Sequence, residues 1–336
     1  MSRELIDGFD SYATVDIPLR WHSQGNGPTV VTTAPRTGVN HLRLPGDGFV
    51  QRSLSGNKAT VIAGSAWLFT SVAPGNDFQV ISVRDNTTIQ IDVRLTPVGF
   101  LRVTRNGTSL GITTTPLSPN IYYHIALKAT IHGSSGAFEL RVNNVNVLSD
   151  TGVNTSATGN AYANAVRLGA GTGANLGVTY VDDVFIYNGD GSTCNDFPGD
   201  MAVILLTVNG NGSTQNFTPS TGSNNSANVD DATPDGDSTY NSSATVGDID
   251  LYAFNNTSID ILGVQSCSIV RKDDAGSRHV SAVCKSSTST AVGAVDLSLS
   301  NGYVALLDNF DLDPATGAPW SVSGLNAAEF GVKVIA

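Results

Sequence analysis

The sequence predicts an all-β protein of two domains: an N-terminal jelly-roll sandwich over 1–188, a linker over 189–200 and a smaller C-terminal β sandwich over 201–336. Three observations predict it. Short apolar runs alternate with turn-formers, with 35 Gly and many Asn, Ser and Thr between them, as expected of sandwiches. The carboxylates are 26 Asp against Glu4, Glu139 and Glu329, so the helix-favouring carboxylate is the rarer one, and the cations are 13 Arg against five Lys. At 336 residues, 40% hydrophobic and 14% charged, the chain is long and apolar enough for two ordinary cores.

Taken in order, the predicted strands of the first domain are Thr60–Ile62, Ala66–Val72, Phe78–Val83, Ile89–Leu95, Phe100–Arg105, Tyr122–Thr130, Phe138–Val142, Ala165–Leu168 and Thr179–Tyr187. Arg105-Asn106-Gly107 and Asn143-Asn144 supply the positive-φ residues of tight hairpins to Ser109–Ile112 and Val145–Leu148. About a dozen strands in such a span fit two packed sheets. Gly189 to Asp200 lacks alternation and reads as the linker. Beyond it, Met201–Val208 reads as a first strand and Asn209–Asn228 as a polar loop or an arm lying on a neighbouring molecule. Strands resume at Asp250–Phe254, Ile259–Arg271, Val280–Lys285, Ala294–Leu299, Gly302–Leu307 and Leu325–Ile335.

A net charge of −11 with no basic run argues against nucleic acid as a partner. The residues after Met1 lack the basic and apolar regions of a secretory signal, so synthesis in a host cytoplasm is expected. The longest apolar run, Met201–Val208, is too short to span a bilayer, and no membrane partner is expected. Cys194, Cys267 and Cys284 lack zinc-site spacing; Cys267 and Cys284 either face each other across a hairpin or are two buried thiols.

The order Ile6-Asp7-Gly8-Phe9-Asp10, Tyr122 to Leu127, Phe138 to Asn143 and Val181-Asp182-Asp183-Val184-Phe185-Ile186-Tyr187 resembles the concanavalin-type lectin and laminin G-like jelly roll, with Tyr123 where Trp is usual. The later series Pro234 to Tyr240, Arg271 to Arg278, Asp313 to Trp320 and Asn326 to Val334 resembles the C-terminal domain behind jelly rolls in tailed-bacteriophage virion proteins. The resemblance implies a non-enzymatic structural component of a phage particle, in head, tail, fibre or baseplate. It further implies that the protein works through contacts with other virion proteins, as a homo-oligomer for which a trimer is one possibility. The competing expectation is a carbohydrate-binding module for a bacterial surface glycan.

Lectin-like jelly rolls that hydrolyse glycosides carry a Glu pair on alternate strand positions, and with Glu139 followed by Leu-Arg-Val-Asn that pair is missing. The five His have no triad or metal spacing, and His124 reads as a satisfied core residue. Calcium is the cofactor the sequence points to, at Asp230, Asp231, Asp235 and Asp237 around Gly236, with a solvated Asp-rich turn as the alternative. A second calcium candidate is the rim pair Asp182 and Asp183, whose side chains as strand neighbours should point to opposite faces. For a glycan or partner contact the aromatic candidates are Trp320 and Tyr162; Trp67 reads as core.

Overall fold

In a computed structural model, which describes residues 3–33, 35–71, 76–169 and 177–336, the chain divides into two compact units, Met1–Ile204 and Leu205–Ala336. Both are built almost wholly of antiparallel strands. The end of the predicted strand Ala66–Val72 lies outside the described residues.

The first unit packs two sheets face to face. One has eight strands, in the order Val145–Val153, Gly136–Val142, Tyr122–Thr130, Thr60–Phe69, Val178–Asn188, His41–Pro45 and Thr29–Val31, with Arg3–Asp7 also paired to Val178–Asn188. The other has seven, in the order Thr108–Ile112, Leu101–Arg105, Thr88–Leu95, Phe78–Asp85, Ala163–Gly169, Phe49–Lys58 and Ser23–Gly25. Trp67 and Phe69 from the first sheet meet Phe78 from the second at ring-centroid distances near 6 Å (6.1 and 6.1 Å). Each such fully buried side chain contributes roughly 2 kcal/mol of apolar transfer. Strands before Thr60 escaped the sequence reading because they are short, as in Ser23–Gly25, or mostly polar, as in Phe49–Lys58.

Both hairpins form as expected. Asn106 and Gly107 have φ of 42° and 91°, and Asn143 and Asn144 φ of 49° and 64°, the left-handed pair that matches strand twist. An Asn144→Ala variant should therefore lose about 1 kcal/mol, since alanine lacks the local hydrogen bonding that lets Asn tolerate this region. Urea unfolding checks it, and an unchanged midpoint would mean the turn relaxes at no cost.

The connection between the units differs from the expectation. Met201–Val208 is not a strand: strand structure begins at Val208, and the apolar residues before it are used in packing. Met201, Val203, Phe197 and Cys194 lie on a cluster of Ile62, Ala126, Phe185 and Tyr187, and the Arg141 guanidinium sits 4.3 Å over the Phe197 ring. The predicted linker 189–200 is thus part of the first unit's surface.

The second unit centres on a six-stranded sheet in the order Val208–Gln215, Ile249–Phe254, Glu329–Val334, His279–Ser286 and Ser289–Val292, with Leu297–Ser298 also on His279–Ser286. A two-stranded ribbon, Val264–Val270 with Val304–Phe310, is separate. The segment expected to be a loop or arm supplies the edge strand Val208–Gln215, and Asn225, Ser226 and Asn228 are buried. A buried carboxylate explains this: Asp250 accepts from Asn225 Nδ2 at 2.9 and 3.0 Å and from the Tyr252 hydroxyl at 2.5 Å. Polar residues that complete a buried network are as ordered as apolar ones. Cys267 and Cys284 do not face across a hairpin, because the strand of Cys267 pairs with Val304–Phe310 and that of Cys284 with Glu329–Val334 and Ser289–Val292.

Candidate functional site

Alternation along the seven-stranded sheet sends Val50, Val83, Ile91, Val93, Val103 and Val166 into the core and their neighbours to the outer face. On that outer face the register aligns one position from every strand: Ser23 pairs Gln51, Gln51 pairs Arg167, Arg167 pairs Ser82, Ser82 pairs Asp92, Asp92 pairs Thr104 and Thr104 pairs Ser109. The result is an unbroken polar row across the sheet, about 29 Å long at the usual strand spacing. Its ends, Ser23 and Ser109, are exposed, while Ser82, Asp92 and Thr104 in the middle are buried beneath longer side chains.

Hydrogen bonds fix much of this row. Asp92 accepts from Gln79 Nε2 at 2.7 Å and Arg94 Nε at 2.8 Å on one oxygen, and from Thr104 Oγ1 on the other. Arg102 pairs with Asp77 at 2.8 Å. Gln90, one strand position away, holds the loop before Ala163–Gly169 by donating to the carbonyls of Asn160 and Tyr162 and accepting from Ala157 N.

Two other arginines on the face have no carboxylate within 4 Å among the described residues. Arg84 is 7% exposed; it donates to the Thr87 carbonyl and reaches Ser82 Oγ at 3.5 Å, while its Nε has no partner. Arg167 donates from Nε to Gln51 Oε1 at 3.1 Å and lies 3.9 Å over the Phe49 ring, and its terminal nitrogens donate to no group among the described residues. Burial pulls both guanidinium pKa values down, Arg167 to about 10, with the Arg84 charge adding to the effect on Arg167.

A second polar cluster lies at the rim of the eight-stranded sheet. Between Asp182 and Phe185 the strand is bulged and Asp183 has φ 51°, so the two carboxylates do not diverge as strand alternation predicts. Both hold the segment before His41–Pro45: Asp182 accepts from Arg36 N at 2.9 Å and Thr37 N at 3.1 Å, and Asp183 from Thr37 Oγ1 at 2.6 Å and Arg36 Nη1 at 2.8 Å. Arg36 also reaches the Met201 carbonyl at 3.0 Å and pairs with Asp200. Asp10 closes the turn by accepting from Val39 N and Asn40 N at 2.7 and 2.8 Å, and glycine is required at position 38, with φ 63°, because a Cβ there would strike the Asp10 carboxylate. Burial and the Asp183 charge raise the Asp182 pKa to about 7.

Neither a family model nor a curated protein matches the chain. Similar solved structures include the cellulose-induced protein Cip1, 14% identical with a TM-score of 0.41 over 55% of this chain and 96% of that one. An alginate lyase, Aly36B, in complex with an alginate trisaccharide is 10% identical with a TM-score of 0.41, over 56% and 98%. The carbohydrate-binding module CBM66 from Bacillus subtilis is 14% identical with a TM-score of 0.33, over 49% and 94%. With TM-scores below 0.5, these likenesses carry no weight for what this chain binds.

The sequence-derived site residues fare unevenly. Trp320 is 5% exposed, donates from Nε1 to the Phe310 carbonyl at 2.7 Å and packs against Phe330 in the core of the second unit, so it is no surface contact. Tyr162 is half-buried beside the Gln90 loop anchor. Asp230, Asp231, Asp235 and Asp237 are exposed and do not converge; Asp237 is taken by Arg271 and the Tyr303 hydroxyl and Asp235 by Thr239 Oγ1. Among the described residues no three His, Cys, Asp or Glu side chains come together to hold a metal ion, the Asp182 and Asp183 cluster included. His124 is buried and stacked on Phe185, yet its Nε2 lacks a partner, and burial lowers its pKa to about 4, so the ring is neutral rather than a satisfied donor-acceptor pair. Arg84, Arg167 and the polar row went unnoticed; alternation marks each arginine as outward-facing, but register alone puts them together.

Proposed function

We propose that the first unit is a saccharide-binding β sandwich whose contact surface is the outer face of the seven-stranded sheet. The carrying observation is the polar row from Ser23 to Ser109, exposed at both ends and sunk in the middle. A linear sugar chain offers hydroxyl groups at regular intervals, and a straight series of hydroxyl, amide and guanidinium groups fixed on strands is a preorganised complement to it. Phe49, half-buried beneath Arg167, contributes apolar surface at the same place.

The row is suited to binding rather than to glycoside hydrolysis by a carboxylate pair. Its one carboxylate, Asp92, has both oxygens engaged, and Asp77 is paired with Arg102, so no two carboxyl groups flank the row as acid and nucleophile or base. The virion role implied by the C-terminal resemblance has no comparable structural observation behind it, so saccharide binding is the preferred reading.

Immobilised polysaccharides of different backbone and charge, probed with the full chain, test this. Saturable binding to at least one of them is expected, with at least a tenfold weakening in Gln51→Trp, which lays an indole across the row. Absence of binding to every polymer, or undiminished binding by Gln51→Trp, would sink the proposal.

A further inference from the structure

Building on that reading, we propose that Arg84 and Arg167 form an oxyanion subsite, so that the saccharide bound along the row is an acidic one. On neighbouring strands Arg84 pairs with Ala165 and Arg167 with Ser82, which puts the two arginines on one diagonal of a square and two small residues on the other. Diagonal neighbours on one sheet face lie within reach of long side chains. The arginines are therefore the largest groups in this part of the face, set side by side.

Such a pair is costly without a counter-ion. A cation removed from water needs an opposite charge or a full set of hydrogen bonds, and like charges placed together add to the cost. The remaining cations of the face are answered, Arg94 by Asp92 and Arg102 by Asp77. Arg167 has no carboxylate partner among the described residues, and Arg84 feels only the more distant Asp92 charge, which Arg94 already pairs, although the chain carries a net charge of −11 and has carboxylates to spare. Arg84 Nε is buried without a partner, and the terminal nitrogens of Arg167 are free to donate. Guanidinium groups fit an oxyanion through paired N–H donors, which a hydroxyl cannot match. Carboxylate and sulfate esters share this chemistry, and both occur on sugar chains.

Affinity electrophoresis of the full chain through gels containing dextran, dextran sulfate, polygalacturonate or methyl-esterified polygalacturonate tests the subsite. Retardation is expected in polygalacturonate, dextran sulfate or both, the pattern naming the acid group, and at most weakly in dextran or the ester. Arg167→Gln and Arg84→Gln should each weaken retardation at least tenfold, while Arg278→Gln in the second unit should not. Comparison of the acid polymer with its ester uses the unaltered protein, so it decides the matter even if a variant misfolds. Equal retardation by dextran and dextran sulfate and by acid and ester overturns the subsite and leaves saccharide binding standing; no retardation by any polymer overturns both.

Discussion

Replacing Arg36 by methionine should cost the first unit about 3 kcal/mol, because it strips the cation from the buried Asp183 carboxylate. For a domain of this size that is a fall in Tm of roughly 6 to 12 °C. The expectation rests on what a single guanidinium fastens: Asp183 on strand Val178–Asn188, and Asp200 and the Met201 carbonyl on the segment leaving it. Asp183 is wholly buried, while Arg36 keeps 23% of its side chain exposed, which sets the loss at the lower end for a broken buried pair. Surface ion pairs are worth little, so pairs such as Lys128 with Asp196 make the contrast: Lys128→Met should barely move Tm. Calorimetry on the full chain separates the cases. If Arg36→Met melts where the wild type does, the clamp is ornamental; if Asp183→Asn placed on top of Arg36→Met restores part of the loss, the unpaired charge is the cause.

Fold and site were legible to different depths for a physical reason. Local chemistry announces itself: Asn106-Gly107 and Asn143-Asn144 take the left-handed turn wherever they occur, so both hairpins and the strands they join were readable. The polar row was not, because its seven residues come from seven strands scattered between Ser23 and Arg167, and only non-local pairing brings them into line. Alternation misled at Asp182 and Asp183, since one bulge with a left-handed aspartate cancels the period of two. Composition misled at Asn225, where a side chain typical of loops serves a buried carboxylate, and at Trp320, expected as a glycan or partner contact, whose indole fills the core. In each case a residue's usual environment was overridden by a partner distant in sequence.

Measured against an Asp182→Asn variant, the first unit should also lose stability as the pH rises through 7. The folded Asp182 carboxyl keeps its proton to about 7, against 3.8 ordinarily, because burial and the neighbouring Asp183 charge both oppose ionisation. A folded pKa above the unfolded one means that the folded state binds more protons between the two values. The stabilisation is therefore complete below 3.8 and disappears as pH climbs through about 7, the whole span amounting to on the order of 4 kcal/mol. Asp183 and Asp10, also raised by burial, act with the same sign. His124, His41 and His22 act with the opposite one: burial lowers them, so the unfolded chain binds more protons than the fold in a window below 6.5. The two groups are separable because the histidines contribute alike to the wild type and to Asp182→Asn and cancel in their difference. Between pH 6.5 and 8.5 the Asp182 contribution falls by about 0.8 kcal/mol, visible as a change in the stability difference between the two proteins at constant ionic strength. In Asp182→Asn the amide keeps an oxygen to accept from Arg36 N and Thr37 N but carries no charge, so the variant should gain on the wild type as pH rises. A stability difference between wild type and Asp182→Asn that stays constant across this window would place the ionisation elsewhere.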